Sequence, residues 1–296
     1  MMPDFLAKSE ADQRRIGAEG ADRLLDAGRR WDLAPVLRAG GSLIFPHATI
    51  DVCGHQIAAV VHACLDTGRP VAVIGVLHGL NAELKEARAR AAAGENVSAD
   101  PARGIQGPSI GGHDDWKREF SLSHFRFLWR REAARRGIDA PDPAEFYPFL
   151  AAGHPETLSG LDSLRAATAA GAVIVATMDA IHHGIGYGDT PEAARAPDQG
   201  GVELARREIA AGLGILRTGD YASFERHAAR TRSDGRDVGQ LLRLLLGPLD
   251  AEILDLLADD MAPVYQQPDP TWVAGALIAL RPASTADRSQ IATGRR

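Results

Sequence analysis

Three short apolar runs, residues 41–46 (GSLIFP), 71–75 (VAVIG) and 172–177 (AVIVAT), alternate with longer stretches of helical periodicity. Runs that are apolar throughout, rather than at every second position, read as strands covered on both faces. Such strands separated by helices specify an α/β fold, with a mixed or parallel central sheet flanked by helices on both faces. Helices are expected at 10–31, 55–65, from 83 onward, and at 119–136, 158–170, 203–217, 221–230, 238–246 and 250–257. The segment 272–280 (WVAGALIAL) reads as a final strand or a buried helix. Residues 94–112, with prolines and five glycines, and the irregular passage 141–155 break the rhythm. A connection as long as 83–112 is a candidate lid.

No repeat or linker divides the chain. A single domain over 1–296 is expected, with an N-terminal helical segment (1–31) and a polar, disordered tail (284–296). At 296 residues the chain buries a core without disulfides. Its 33 basic and 39 acidic residues, net -6, form no basic stripe, which speaks against nucleic acid as a partner. Cys53 and Cys64 are too few for a cysteine metal cage and suit a reducing compartment. The opening MMPDFLAKSEADQRRIG lacks a signal-peptide core, and the longest apolar stretches are too short for a bilayer. A cytoplasmic protein without a membrane partner is the expectation. The proline-rich passages leave a homo-oligomer open.

Histidines mark the ends of the apolar runs. His47 follows the first, His78 the second, and His182 and His183 the third. Ligands of open α/β sheets bind just outside the carboxyl ends of the strands. Imidazole is the commonest transition-metal ligand and the side chain that titrates nearest neutrality. Any one of these histidines reads plainly as a hydrogen-bonded loop residue; their coincidence at three strand ends points to one site. Asp234, in RTRSDGRDVGQLL (230–242), stands on a turn before a helix. It is either a helix N-cap or the carboxylate that completes a metal site. Two imidazoles and one carboxylate suit non-heme Fe(II) with open positions; the same ligands on zinc make a hydrolytic site. The loop GIGYG (184–188) lacks the phosphate-loop pattern. Its glycines would let backbone approach a substrate, with His183 and Tyr187 as candidate contacts. The arginines of 119–136 (Arg126, Arg130, Arg131, Arg135, Arg136) read as a solvated helix face, or one of them pairs with a substrate carboxylate.

Five segments, in order, resemble Memo-like proteins. PHATIDVCGHQIAA (46–59) is similar to PHAGY-x-x-SG-x-x-AA, VIGVLHG (73–79) to LGPNHHG, and REFSLSHF (118–125) to EHSLE. ATMDAIHHGIGYGD (176–189) is similar to SSDFSH, with Asp179 and His182 in register, and SDGRDVGQLL (233–242) to CGR-x-P-x-x-x-LL. Memo-like proteins share their fold with class III extradiol dioxygenases, so the resemblance implies that fold. It implies His47 and His78 as metal ligands and His182 as the acid/base. Asp234 stands where Memo-like proteins usually carry cysteine and the dioxygenases supply a carboxylate, which favours Fe(II) over copper.

Asp179 would orient His182 or a ligand from behind, or cap a turn. His124 has no counterpart and is either a second catalytic histidine or a helix-surface one. The departures are Thr49 for Gly, Ile50 for Tyr, Gly79 for the second His of NHH, Phe120 for the His of EHS, and Ser123 for its following Glu. The implied activity is that of a metal-dependent oxidoreductase. It would use O2 for extradiol-type cleavage of a small bidentate substrate, a catechol or 2-aminophenol. The alternatives are a Memo-like copper or iron redox protein, a zinc hydrolase, and a non-catalytic peptide-binding adaptor.

Overall fold

The computed structural model describes residues 4–110 and 114–283; the expected tail at 284–296 lies outside the described residues. The chain runs α1 (Phe5–Gly28), α2 (Ala34–Arg38), β1 (Ser42–Phe45), α3 (Ile50–Thr67), β2 (Val71–Ile74), α4 (Ala82–Ala92), β3 (Gly104–Gln106), α5 (Ser123–Arg136), β4 (Ala144–Phe149), α6 (Leu161–Ala169), β5 (Val173–Thr177) and β6 (Asp179–Gly184). It continues through α7 (Gly201–Thr218), α8 (Tyr221–Arg230), α9 (Gly235–Leu246), β7 (Leu249–Asp260), α10 (Ala262–Tyr265) and β8 (Thr271–Pro282).

The apolar runs make the middle of one sheet, ordered β3-β4-β2-β5-β1-β8-β6, with β7 on the other edge of β8. Strands β4, β2, β5 and β1 are mutually parallel, while β8 is antiparallel to β1, β6 and β7. Alternation along each strand feeds two cores. Leu43, Phe45, Val73 and Val175 face α3 and α5, which also receive α1. Ile44, Ile74, Ile174 and Ala176 face Leu164 of α6, Ile209 of α7 and Leu241 of α9. Helices therefore cover both faces of a mixed, mostly parallel sheet. Among the described residues no helix is long and apolar enough to cross a membrane.

Five expectations are corrected. Residues 250–257 are not a helix but part of β7, which pairs along all of β8. A register shift between Ile253 and Asp255 explains the deception. The bulge flips the alternation, so Ile253 and Leu256 pack on one core while Leu254 and Leu257 pack on the other. Residues three apart thus share a face, as they would in a helix. The passage 141–155 contains β4. Its Pro148 lies beyond the parallel pairing with β2, which ends at Phe146, so no ladder bond to β2 is lost. His182 and His183 lie within strand β6 rather than in a loop.

The 83–112 insertion is not a free lid. It builds α4 and β3, and buried Arg103 donates to the carbonyls of Leu150, Ser98 and His154 and to the Thr157 hydroxyl. The first helix also starts earlier than expected and is broken at Gly17, whose backbone (φ 60°, ψ −164°) leaves the helical region.

Candidate metal centre

The parallel strands place the site at their carboxyl ends. His47 follows β1, His78 follows β2, and Asp179 opens β6 after β5. His182 projects from β6, and Asp234 precedes α9. His47 Nε2 lies 3.2 Å from Asp234 Oδ2 and 3.3 Å from His78 Nε2, and His78 Nε2 lies 3.7 Å from the same Oδ2. Donors at ~2.1 Å from one ion stand about 3.0 Å apart at right angles and about 3.4 Å apart at the tetrahedral angle. The three separations therefore suit ligands of a single first-row cation. His182 Nε2 is 3.9 Å from Asp234 Oδ2, and Asp179, His182 and Asp234 form a second, overlapping group of possible donors.

The imidazoles are oriented from behind. The Thr177 hydroxyl donates to the Phe45 carbonyl (2.9 Å), which assigns the 3.0 Å contact with His47 to an Nδ1–H donor. His78 donates from Nδ1 to Glu119 Oε1 (3.0 Å), and His182 from Nδ1 to the Arg232 carbonyl (2.6 Å). With Nδ1–H so placed, the Nε2 atoms of His47 and His78 face one carboxylate oxygen, and His182 Nε2 approaches that oxygen from the side of Asp179. Asp234 Oδ2 is buried and receives no hydrogen bond. Lone pairs and a carboxylate crowded together call for a cation.

The carboxylate and the imidazoles perturb one another's titration. Burial works to raise the Asp234 carboxyl, but His182, His47 and His78 outweigh it and hold it well below the usual carboxylate range. Burial works to lower His78, but Glu119 and Asp234 outweigh it and raise the imidazole well above its usual value. Asp234 occupies the N-cap position of α9, yet its side chain makes no capping bond. The cap reading does not account for it.

No protein-family model matches the chain, and no curated protein matches it. The site is read from its own geometry.

Asp179 couples the two halves of the centre. Its Oδ1 accepts from the His47 backbone N–H (3.1 Å), and its carbonyl accepts from Asp234 N–H (3.1 Å). His47, His78, Asp179 and His182 open onto a pocket walled by Phe5, Phe120, Tyr187, Met261, Tyr265 and Val273. The Tyr187 ring meets His182 edge-on, with centroids 4.9 Å apart. His124 also lines the pocket but does not join the donor cluster. Its ring nitrogens lie 3.2 and 3.4 Å from Ser9 Oγ, and Nδ1 is 3.3 Å from Gln13 Nε2. Burial lowers its pKa to about 4, so it is neutral near pH 7.

His183 is not brought to the site, which corrects its reading as a substrate contact. Adjacent strand residues face opposite ways, and both of its nitrogens are engaged: Nε2 accepts from Arg195 N–H (2.9 Å) and Nδ1 faces Asp189 (3.0 Å). The arginines of α5 are likewise engaged elsewhere. Arg126 pairs with Glu145, Arg130 with Asp142, Arg131 with Asp22, Arg135 with Asp26 and Arg136 with Asp66.

Sequence reasoning missed Glu119 as a site residue. The helix expected from 119 begins only at Ser123, and the freed turn aims Glu119 at His78. The signal was present, because Glu119 lies in the quoted segment REFSLSHF. Phe120, whose ring lies 4.5 Å from that of His78, was noted only as a departure.

Proposed function

We propose that this chain is a non-heme Fe(II) dioxygenase of the Memo-like and class III extradiol fold. It cleaves a small bidentate aromatic substrate, a catechol or 2-aminophenol, and incorporates both atoms of O2. The observation that carries the reading is the convergence of His47, His78 and Asp234, with every Nδ1 turned away and Asp234 Oδ2 left without a hydrogen-bond donor. Two imidazoles and a carboxylate, with an open side toward a pocket, are the donor set of oxygen-using iron sites. The order of the five sequence segments supports the same family.

Bound Fe(II) would supply adjacent positions for substrate and O2 and the electrons that let them react. The remaining work falls to the protein. Phe120 and Tyr187 flank a flat ring. His182, with Nδ1–H held by Arg232 O, presents Nε2 to the pocket as the group that accepts a substrate hydroxyl proton and later returns one. Asp179 holds the His47 and Asp234 backbones in register. His124, neutral and tied to Ser9, serves to position α1 rather than to carry protons.

A zinc hydrolase is the second reading, because His47, His78 and Asp234 are equally a donor set for zinc. A peptide-binding adaptor leaves the buried, unpartnered Oδ2 of Asp234 without a purpose.

Anaerobic loading with Fe(II) or Zn(II), metal analysis, and O2 uptake with catechol and 2-aminophenol separate these readings. One iron per chain and substrate-dependent O2 consumption are expected, with metal lost in His47→Ala. Tight zinc without O2 consumption, or metal undiminished in His47→Ala, overturns the proposal.

A further inference from the structure

The sheet ends unequally. On one side it closes with β3, three residues long, which offers a visiting strand little to pair with. Beyond β8 it ends with β7, twelve residues long, and among the described residues no strand pairs with the outer edge of β7. Such an edge turns a row of backbone N–H and C=O groups outward. The side chains of β7 are also incompletely covered. Leu254 and Leu257 on one face, and Ile253, Leu256 and Ala258 on the other, pack against the two cores yet stay partly exposed, whereas β8 beside them is buried from Thr271 to Leu280.

Long edges are ordinarily guarded by charge. The acids of β7 do not serve that purpose, because the chain neutralises most of them itself. Asp250 pairs with Arg217 (2.8 Å), Glu252 with Arg281 (2.6 Å) and Asp255 with Arg30 (3.1 Å). Asp259 is buried and accepts from Thr49 N–H (2.7 Å) at the start of α3. That leaves Asp260, exposed and without an ion pair, at one end of the strand. At the other end Arg206 of α7, also exposed and without an ion pair, flanks Asp250, Ala251 and Ile253.

We infer that β7 is the seam of a homodimer, in which a second copy of this chain adds its own β7 antiparallel across a two-fold axis and makes one continuous sheet. A pairing centred at Leu254 and Asp255 lays the apolar middle of one strand against that of the other. It also sets the Asp260 end of each copy beside Arg206 of the other, so the two unpaired charges are matched twice. The bulge between Ile253 and Asp255 falls where the axis passes, so both strands bend at one point. This self-complementarity selects a second copy over a foreign strand.

Sedimentation velocity of the full chain over about 1–100 µM, the range of an ordinary reversible dimer, tests this together with hydrogen exchange. A concentration-dependent dimer is expected, with the amides of Leu249–Asp260 exchanging more slowly as concentration rises. Arg206→Glu should weaken the dimer about tenfold, because two symmetric contacts turn from attraction to repulsion. Asp260→Lys should do the same, the double variant should recover most of the loss, and Arg206→Lys should dimerise like wild type. Circular dichroism confirms that each variant folds, and Arg206, exposed on a helix, tolerates exchange even if Asp260 does not. A full chain that stays monomeric overturns the inference and leaves the edge to the segment after Ala283 or to another protein. A dimer whose β7 amides exchange alike at every concentration, or one indifferent to Arg206→Glu, overturns it as well.

Discussion

Replacing Glu119 by glutamine removes one charge and almost no volume, and the structure fixes what else it removes. The carboxylate accepts at Oε1 from His78 Nδ1 (3.0 Å), Phe120 N–H (2.8 Å) and Ser121 N–H (2.8 Å), and at Oε2 from His78 N–H (2.7 Å). A glutamine keeps the Oε1 set only by placing its NH2 where Oε2 stood. The amide then faces the His78 N–H, donor against donor. Leaving that buried N–H unpaired costs roughly 1–3 kcal/mol. The His78 ring also loses the anion that makes its Nε2 a strong donor, and losing such a partner costs about 10–100-fold in metal affinity. The metal term is read by anaerobic competition for Zn(II) or Fe(II) against a chromophoric chelator, and the stability term by urea unfolding of the metal-free protein. A Glu119→Gln protein that folds with wild-type stability and holds metal within about twofold of wild type would refute the claim that Glu119 sets His78 as a ligand.

Two further outcomes follow from the same geometry. His182→Gln should retain the metal while lowering kcat by about 10²–10⁴-fold, the usual worth of a positioned proton-transfer group; loss of metal in this variant would instead place His182 among the ligands. His124 is held near pKa 4 by burial, below its ordinary value of 6.5, so the unfolded chain binds its proton first as pH falls. The stability it confers is complete above about pH 6.5 and is lost toward pH 4, up to about 3 kcal/mol; His124→Asn should unfold with a shallower acid dependence by that amount, measured by urea denaturation across the range.

The strands that carry the site were legible because their burial is two-sided. β1, β2 and β5 are buried at every position and almost wholly apolar, a pattern that β8 shares over 272–280. The elements that escaped did so for local reasons with tertiary causes. β7 is a long strand whose bulge gives it helical spacing. β4 carries a proline that is harmless only because β2 stops short of it. β3 is three residues long and exists through its pairing with β4. In each case partner and register decide the structure, and neither is written in the segment itself.

The site divides along a similar line. His47 and His78 were found from position, since the strand ends of a parallel sheet converge wherever the strands are recognised, whereas Asp234 was a candidate from its turn before a helix and from the resemblance. What makes them a donor set is the identity of the group behind each ring: a threonine hydroxyl for His47, a carboxylate for His78 and a main-chain carbonyl for His182. These have nothing in common in sequence. The one carboxylate among them, Glu119, is the strongest lever on the site, because a charged acceptor both orients a ring and raises its basicity. The three imidazoles are therefore unequal. His78 is backed by an anion, whereas His47 and His182 are backed by neutral acceptors, so substitutions behind the rings should weaken metal binding most at His78. On this reasoning Thr177→Val, which removes only a neutral partner from His47, should cost less metal affinity than Glu119→Gln.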